Sequence, residues 1–382
     1  INGRLIPITI GLRVKPPIEL SFEPSYFSCY PGSKGELKVT LKSNIKQPVK
    51  GVLSVVPSPA IQVSPLNQAF KIPKEGYAGA AFDIEIPEDA GNQVIPLRFY
   101  TVIKAGEHEV KTKERIFPVK SFMHGGVLAS LEEDGRVLAL ENETLRVVIG
   151  LRRGGRLRSF MDKLLERENL RFFYDAIGPP FWPTEMDRKD FNYEISKEDG
   201  TIKARLYADM ETYEGLRVIK EFTVFPSTEI VKIQYSFVNS STKTKHDFQL
   251  NVGVQADIEE ARITVPLKQG ILSTVADGDF PQWEADIPED PESLSETWFC
   301  LEFPKTGEIL GVLWHPEGVT KNKLGELNLY IKPKTLEPQS TVTLNAFLRR
   351  GMAVGSNFLS AQNNLYSKTE QLHRYCGSRP YP

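Results

Sequence analysis

Cysteine, histidine and net charge are all scarce in this chain. It has three cysteines and five histidines among 382 residues, and 47 basic side chains stand against 49 acidic ones. Cys29, Cys300 and Cys376 lie far apart and none belongs to a CxxC pair, so the ligand spacing of a zinc site is missing. An odd number permits at most one intrachain disulfide and leaves the redox compartment open. A formal net charge of −2 supplies no electrostatic footprint for nucleic acid or for an anionic membrane surface. No apolar run reaches the length of a membrane span, and no secretory leader is visible. GxSxG, HExxH, P-loop and dinucleotide fingerprints are absent too, which removes the commonest hydrolase, metalloprotease and nucleotide-enzyme readings. Neither a cofactor nor a metal is expected.

What is present is ordinary globular composition in a length suited to two domains: 40% hydrophobic and 25% charged residues. Strand-like runs at 18–22, 36–41, 49–56, 80–86, 95–103 and 110–118 are separated by turn clusters such as Tyr30-Pro31-Gly32-Ser33 and Lys74-Glu75-Gly76. Short alternating strands without helical periodicity predict an all-β sandwich over 18–120. Residues 1–17 read as the end strand of a preceding region, because 5–14 is strand-like and Pro16-Pro17 breaks the ladder. Residues 121–136, with Gly125-Gly126 and the acidic Glu132-Glu133-Asp134-Gly135, read as a linker with a solvated loop. Some ten strands follow over 137–365, with Asn239-Ser240-Ser241 and Pro304–Gly307 expected as hairpin turns, and 366–382 forms a tail. Only 358–375 has helical spacing. The chain opens on Ile1 rather than Met, which is read as the C-terminal portion of a longer polypeptide; a mature protein after leader removal is the alternative.

The most informative segment is 140–170. Leu145, Val147 and Ile149 alternate with Arg146 and Val148, Gly154-Gly155 supplies a turn, and 156–160 returns as a second strand. Leu140-Glu141-Asn142, the glycine turn, Ser159–Lys163 and Arg167-Glu168 resemble the opening of the galactose-mutarotase-like supersandwich. That domain occurs in aldose epimerases and in C-terminal parts of glycoside hydrolases, notably the family 38 α-mannosidases. The segment 336–348 resembles its late strand. Within 18–120, the order 35–41, 49–56, 72–76 and 82–87 resembles the immunoglobulin-like NEW3 modules found beside carbohydrate-active catalytic domains. The resemblance thus implies an immunoglobulin-like β-sandwich followed by a large mutarotase-like supersandwich. It also implies a carbohydrate partner, and a catalytic domain elsewhere in the same polypeptide. An extracellular or cell-surface location is the matching expectation.

Sugars present flat apolar faces ringed by hydroxyls, so a binding site combines an aromatic platform with carboxylates and amides. Three clusters offer that combination. Gly178–Glu185 sets Trp182 and Glu185 in a proline-stiffened loop. Trp314-His315-Pro316-Glu317-Gly318 ends a strand, with His315 as the best acid–base candidate and Glu317 placed to orient it. The third cluster, 277–286, gathers carboxylates around Trp283 but lacks EF-hand spacing, and a solvated loop is the expected reading. Trp182, Glu185, Trp314 and His315 are the expected carbohydrate-binding residues, and His315, Glu317 and Glu185 the catalytic candidates. Neither His246 nor His315 sits in a recognisable epimerase motif. The expected role is therefore the non-catalytic, carbohydrate-associated half of a glycoside hydrolase-like protein. A self-contained sugar epimerase or hydrolase, and an adhesion module binding a protein partner, are the alternatives.

Overall fold

A computed structural model of the chain describes residues 15–352, apart from 106–107, 164–167, 169, 257–259 and 277–282. The expected strand at 5–14, the helical stretch at 358–375, most of the third cluster and Cys376 fall outside the described residues. Within them, regular structure is β-strand except for three single-turn 3₁₀ helices, so no helix is long and apolar enough to cross a membrane. The chain divides into two compact units after Met123.

The first unit is a two-sheet sandwich. Ile18–Glu23, Lys34–Ser43, Tyr77–Glu85 and Gln62–Ser64 form one sheet. Phe27–Cys29, Arg115–Ser121, Gln93–Ala105, Val49–Val55 and Asn67–Ile72 form the other, with His108–Lys111 paired onto Gln93–Ala105. The period-2 pattern of Lys34–Ser43 explains its burial, since Leu37, Val39 and Leu41 point inward while Glu36, Lys38 and Thr40 face solvent. Phe22, Phe82, Phe99 and Phe117 fill the space between the sheets, with ring centroids 5.0–5.3 Å apart. The single run expected at 110–118 is two strands, parted by 112–114.

The second unit has three sheets around one continuous core. Val127–Glu132, Val137–Asn142, Leu145–Gly150 and Arg156–Asp162 form an antiparallel meander. A second sheet runs in the order Leu170–Gly178, Gln249–Ala256, Asn328–Ile331, Val319–Lys323. The third has nine strands: Asn192–Glu198, Thr201–Asp209, Leu216–Val224, Ile230–Asn239, Ser340–Met352, Glu308–Trp314, Trp298–Phe303, Arg262–Leu267 and Gly270–Val275.

The hairpin expected at 145–160 is present, with Val147 opposite Phe160 and both turn glycines in the left-handed region. Two expectations need correction. The stretch expected as a linker begins the second unit: Val127–Glu132 pairs along its whole length with Val137–Asn142 through a tight turn in which Asp134 and Gly135 take positive φ. Its Glu132 is not solvated but ion-paired with the buried Arg146 at 2.7 Å. Asn239–Ser241 is a corner between sheets rather than a hairpin. The next strand, Gln249–Ala256, belongs to the second sheet, and Asn239 Nδ2 donates to the carbonyls of Thr244, Leu336 and Glu337. The Pro304–Gly307 turn does join Trp298–Phe303 to Glu308–Trp314.

Candidate functional site

The segment that carries the family resemblance holds the fold together instead of lining a cleft. Glu141 and Arg146 are cross-strand partners and form a buried ion pair. Burial opposes the Arg146 charge, but Glu141 and Glu132 outweigh it and hold the guanidinium protonated. Lys163 Nζ donates to the Asn142 carbonyl at 2.7 Å and stands 3.4 Å from Glu141. Asn142 is fully buried: its Nδ2 donates to the carbonyls of Phe225 and Thr228, while its Oδ1 accepts the amides of Thr144 and Leu145. Glu168 accepts the Phe160 amide at 2.6 Å. Asn142, Lys163 and Glu168 therefore satisfy backbone groups that the ladders leave unpaired, while Glu141 neutralises Arg146.

Trp182 is 72% exposed on its proline loop, with its ring available to solvent. The loop is anchored on either side of it. Phe181 packs edge-on against Tyr330 at 5.3 Å, and its carbonyl accepts the Tyr174 hydroxyl. Glu185 is half-buried and committed to structure: its two oxygens accept the amides of Glu211 and Thr212, and Lys189 stands at 3.5 Å. Burial alone would raise its pKa, but those two amides and the lysine lower it on balance, so it stays ionised.

Trp314 requires a correction. It is 4% exposed and packs on Phe299 inside the core, so it offers no face to a ligand. All seven residues of Glu308–Trp314 are buried on both faces, a pattern without the alternation that would have revealed it. His315 and Glu317, just beyond, are exposed. Strand Glu308–Trp314 follows Ser340–Met352 only as far as the Trp314–Ala346 pair, and His315 N then donates to the Asn345 carbonyl at 3.3 Å. Past that point the edge of Ser340–Met352 opens into a groove of about 470 Å³ walled by the 315–318 turn, 331–334 and 342–345. His315 Nδ1 accepts the Glu317 amide at 3.2 Å, and the Glu317 carboxylate pairs with Lys334 at 3.3 Å. Asn345 contributes an Oδ1 with no hydrogen-bond partner. Tyr330, which Phe181 touches, immediately precedes the 331–334 wall, so the Trp182 loop and the groove share one strand.

His246 is buried, with Nε2 at 2.9 Å from the Glu214 carbonyl, and belongs to the packing. Trp283 is a structural residue too, its indole donating to the Gly325 carbonyl. Among the described residues, no group of three or more His, Cys, Asp or Glu side chains is placed to hold a metal.

The largest chemical surprise lies in the interior. Lys220 and Tyr235 are cross-strand partners pointing into the core of the second unit, and both reach Asp175 Oδ2, at 2.6 and 2.9 Å. Lys220 Nζ also donates to the Gly154 carbonyl and sits 4.9 Å from the Phe191 ring centre. Arg156 Nε stands 3.4 Å from Asp175 Oδ1, and its guanidinium also contacts Asp187. Complete burial pushes the Lys220 pKa down to about 8, against the pull of Asp175. Burial first, and Asp175 second, push the Tyr235 phenol up. The cluster opens onto no described pocket and matches charge with charge.

No protein-family model matches the chain, and no curated protein is similar to it in sequence. Among solved structures, it is similar to a galactose mutarotase-like protein from Clostridium acetobutylicum: 10% identity, 59% of this chain against 98% of that one, TM-score 0.42. A protein from Klebsiella pneumoniae assigned provisionally to the aldose 1-epimerases gives 11% identity, 73% against 92%, and 0.39. A TPR-domain containing protein from Parabacteroides distasonis gives 10%, 81% against 57%, and 0.44. At these values the likeness is one of β architecture and assigns neither activity nor ligand.

Proposed function

We propose that this chain is the carbohydrate-associated, non-catalytic C-terminal portion of a larger glycoside hydrolase-like protein, touching sugar at the groove beside His315. The observation that carries the reading is the groove itself. It is lined by an imidazole, an ion pair and Asn345, whose buried Oδ1 has no hydrogen-bond partner, and the exposed Trp182 loop rests on Tyr330, the residue before one wall. Sugar hydroxyls both donate and accept, which suits such a mixed lining. The resemblance of 140–168 to mutarotase-like domains, and of the first unit to NEW3-type spacer modules, supports the same association.

The non-catalytic half of the proposal rests on how the titratable candidates are occupied. Glu185 holds two backbone amides, Glu317 holds Lys334, and His315 Nδ1 holds the Glu317 amide. No pair is set up to pass a proton. Glycan-array screening of the full chain, followed by calorimetry on the best hit, tests both halves. Trp182→Ala and Asn345→Ala should each weaken binding by about tenfold or more, as truncated interface anchors do, without changing the melting temperature. Trp314→Ala is expected to destabilise the core and is no test of binding. Sugar binding unaffected by both variants would remove the groove, and turnover of the bound glycan or faster anomer exchange by polarimetry would overturn the non-catalytic role.

A further inference from the structure

We infer that the ligand is a linear, uncharged saccharide chain laid across the strands of the nine-stranded sheet, and not a single sugar held beside His315. The inference rests on the proposed carbohydrate role and adds the shape and charge of the ligand. A depression of about 580 Å³ crosses the outer face of that sheet from Asn192–Glu198 to Ser340–Met352. Its floor is set by register. Glu194 pairs with Arg205, Arg205 with Glu221, Glu221 with Gln234, and Gln234 with Asn345. Directly paired residues project to the same face, so these five make one straight polar rung. Four interstrand steps give it a length of about 19 Å.

The rung ends at Asn345, which belongs to the groove beside His315. Thr341 lines the depression, whereas Thr343 and Asn345 line the groove, and alternate residues of one strand share a face. The two hollows therefore adjoin across Ser340–Met352 and form one trough. Among the described residues, the Glu221 and Gln234 side chains make no hydrogen bond or ion pair, and the buried Asn345 Oδ1 has none either. The distal end is paired by contacts of 3.7 Å between Arg205 and Glu194 and 3.0 Å between Lys203 and Glu198, and Ser236 and Thr343 share a hydroxyl–hydroxyl hydrogen bond of 3.0 Å where the depression meets the groove.

Charge and shape select among ligands. Along the joined trough Glu194, Glu198, Glu221 and Glu317 balance Lys203, Arg205, Lys332 and Lys334, so it offers a phosphodiester chain or an acidic sugar no net attraction. Across the sheet face the apolar lining is Ile219 and Val238, with Ile331, Pro333, Val342 and Leu344 confined to the groove end, too little along the length for the side chains of a peptide or an acyl tail. A polar group repeated at each strand, about 4.8 Å apart, matches instead a polymer that repeats its hydroxyls once per sugar.

Calorimetric titration of the full chain with cello-, manno-, xylo- and malto-oligosaccharides, from disaccharide to hexasaccharide, tests this. For the series that binds, the tetrasaccharide should exceed the disaccharide in affinity by about tenfold, the worth of one or two hydrogen bonds to charged or amide groups. The double variant Glu221→Ala/Gln234→Ala should erase that gain and leave disaccharide binding unchanged. Thr341→Trp, a filling of the trough at an exposed position, should do the same if the double variant proves unstable. Equal affinity at every chain length, or a gain that both variants retain, overturns the trough while leaving the groove intact. Failure of all four series to bind overturns the trough and the carbohydrate role together.

Discussion

Replacing Asp175 by asparagine asks how the interior of the second unit carries charge. The carboxylate receives Lys220, Tyr235 and Arg156, and Lys220 is wholly buried. Asparagine keeps the volume but strands the ammonium without a counter-charge, which in other buried pairs costs about 3–5 kcal/mol. Lys220→Met should behave differently. The fall of its pKa from 10.5 to about 8 means that the site disfavours the ammonium, relative to the amine, by about 3 kcal/mol at 1.36 kcal/mol per decade. Methionine relieves that penalty while Asp175 keeps Arg156 and Tyr235, so the expected loss is under about 2 kcal/mol. The double variant should then lie close to Lys220→Met, a coupling of about 3–5 kcal/mol.

A pH series gives an independent check. Between pH 8 and 10.5 the unfolded chain holds a proton on Lys220 that the folded chain has released, so stability from this group rises with pH across that window. Tyr235 works in the opposite sense above about pH 10, where the unfolded phenol ionises first. Wild type should therefore gain stability from pH 8 to about 10, and Lys220→Met should lose that gain. Guanidinium unfolding followed by tryptophan emission reads the right unit, since Trp182, Trp283, Trp298 and Trp314 all lie beyond Met123. Equal losses in the two single variants, with an additive double, would refute the reasoning.

Two further substitutions probe the signature segment. Asn142→Ala removes four buried hydrogen bonds between two turns and should cost about 2–4 kcal/mol in the same unfolding assay. Gly155→Ala should destabilise by about 1–3 kcal/mol: φ is +56°, and an added Cβ would meet the Phe191 ring at 2.9 Å and Leu206 at 3.0 Å.

The 145–160 hairpin was legible in the sequence because one face is apolar at strict period two and two glycines mark the turn. Trp314 was not, since a strand buried on both faces has no alternation to read, and its last residue looks like the start of an exposed turn. Glu185 looked like a ligand-facing carboxylate because a sequence does not show which backbone amides will need an acceptor. The Lys220 cluster does leave a trace in the sequence. Lys220 sits in phase with Val218 and Phe222, so a charge on the apolar face of a strand was visible. Its counter-charge, Asp175, is 45 residues away and becomes a neighbour only when the sheets pack. The polar rung was illegible for the same reason: five residues on five strands align only once the register is known.

Strand Ser340–Met352 is the last described strand in the chain and the middle one of nine, hydrogen-bonded to Ile230–Asn239 on one side and Glu308–Trp314 on the other. During synthesis, the four-stranded half ending at Asn239 is therefore complete long before its partner edge exists. At about 5–20 residues per second the wait is on the order of ten seconds. The inner edge of the first half-sheet stands open through that interval and that of the second from Trp314 onward, and the closing strand must enter between them as a wedge. A ribosome that stalls short of Met352 would release not a trimmed domain but two adhesive halves, which makes the late arrival of this strand the point at which chaperone protection matters most.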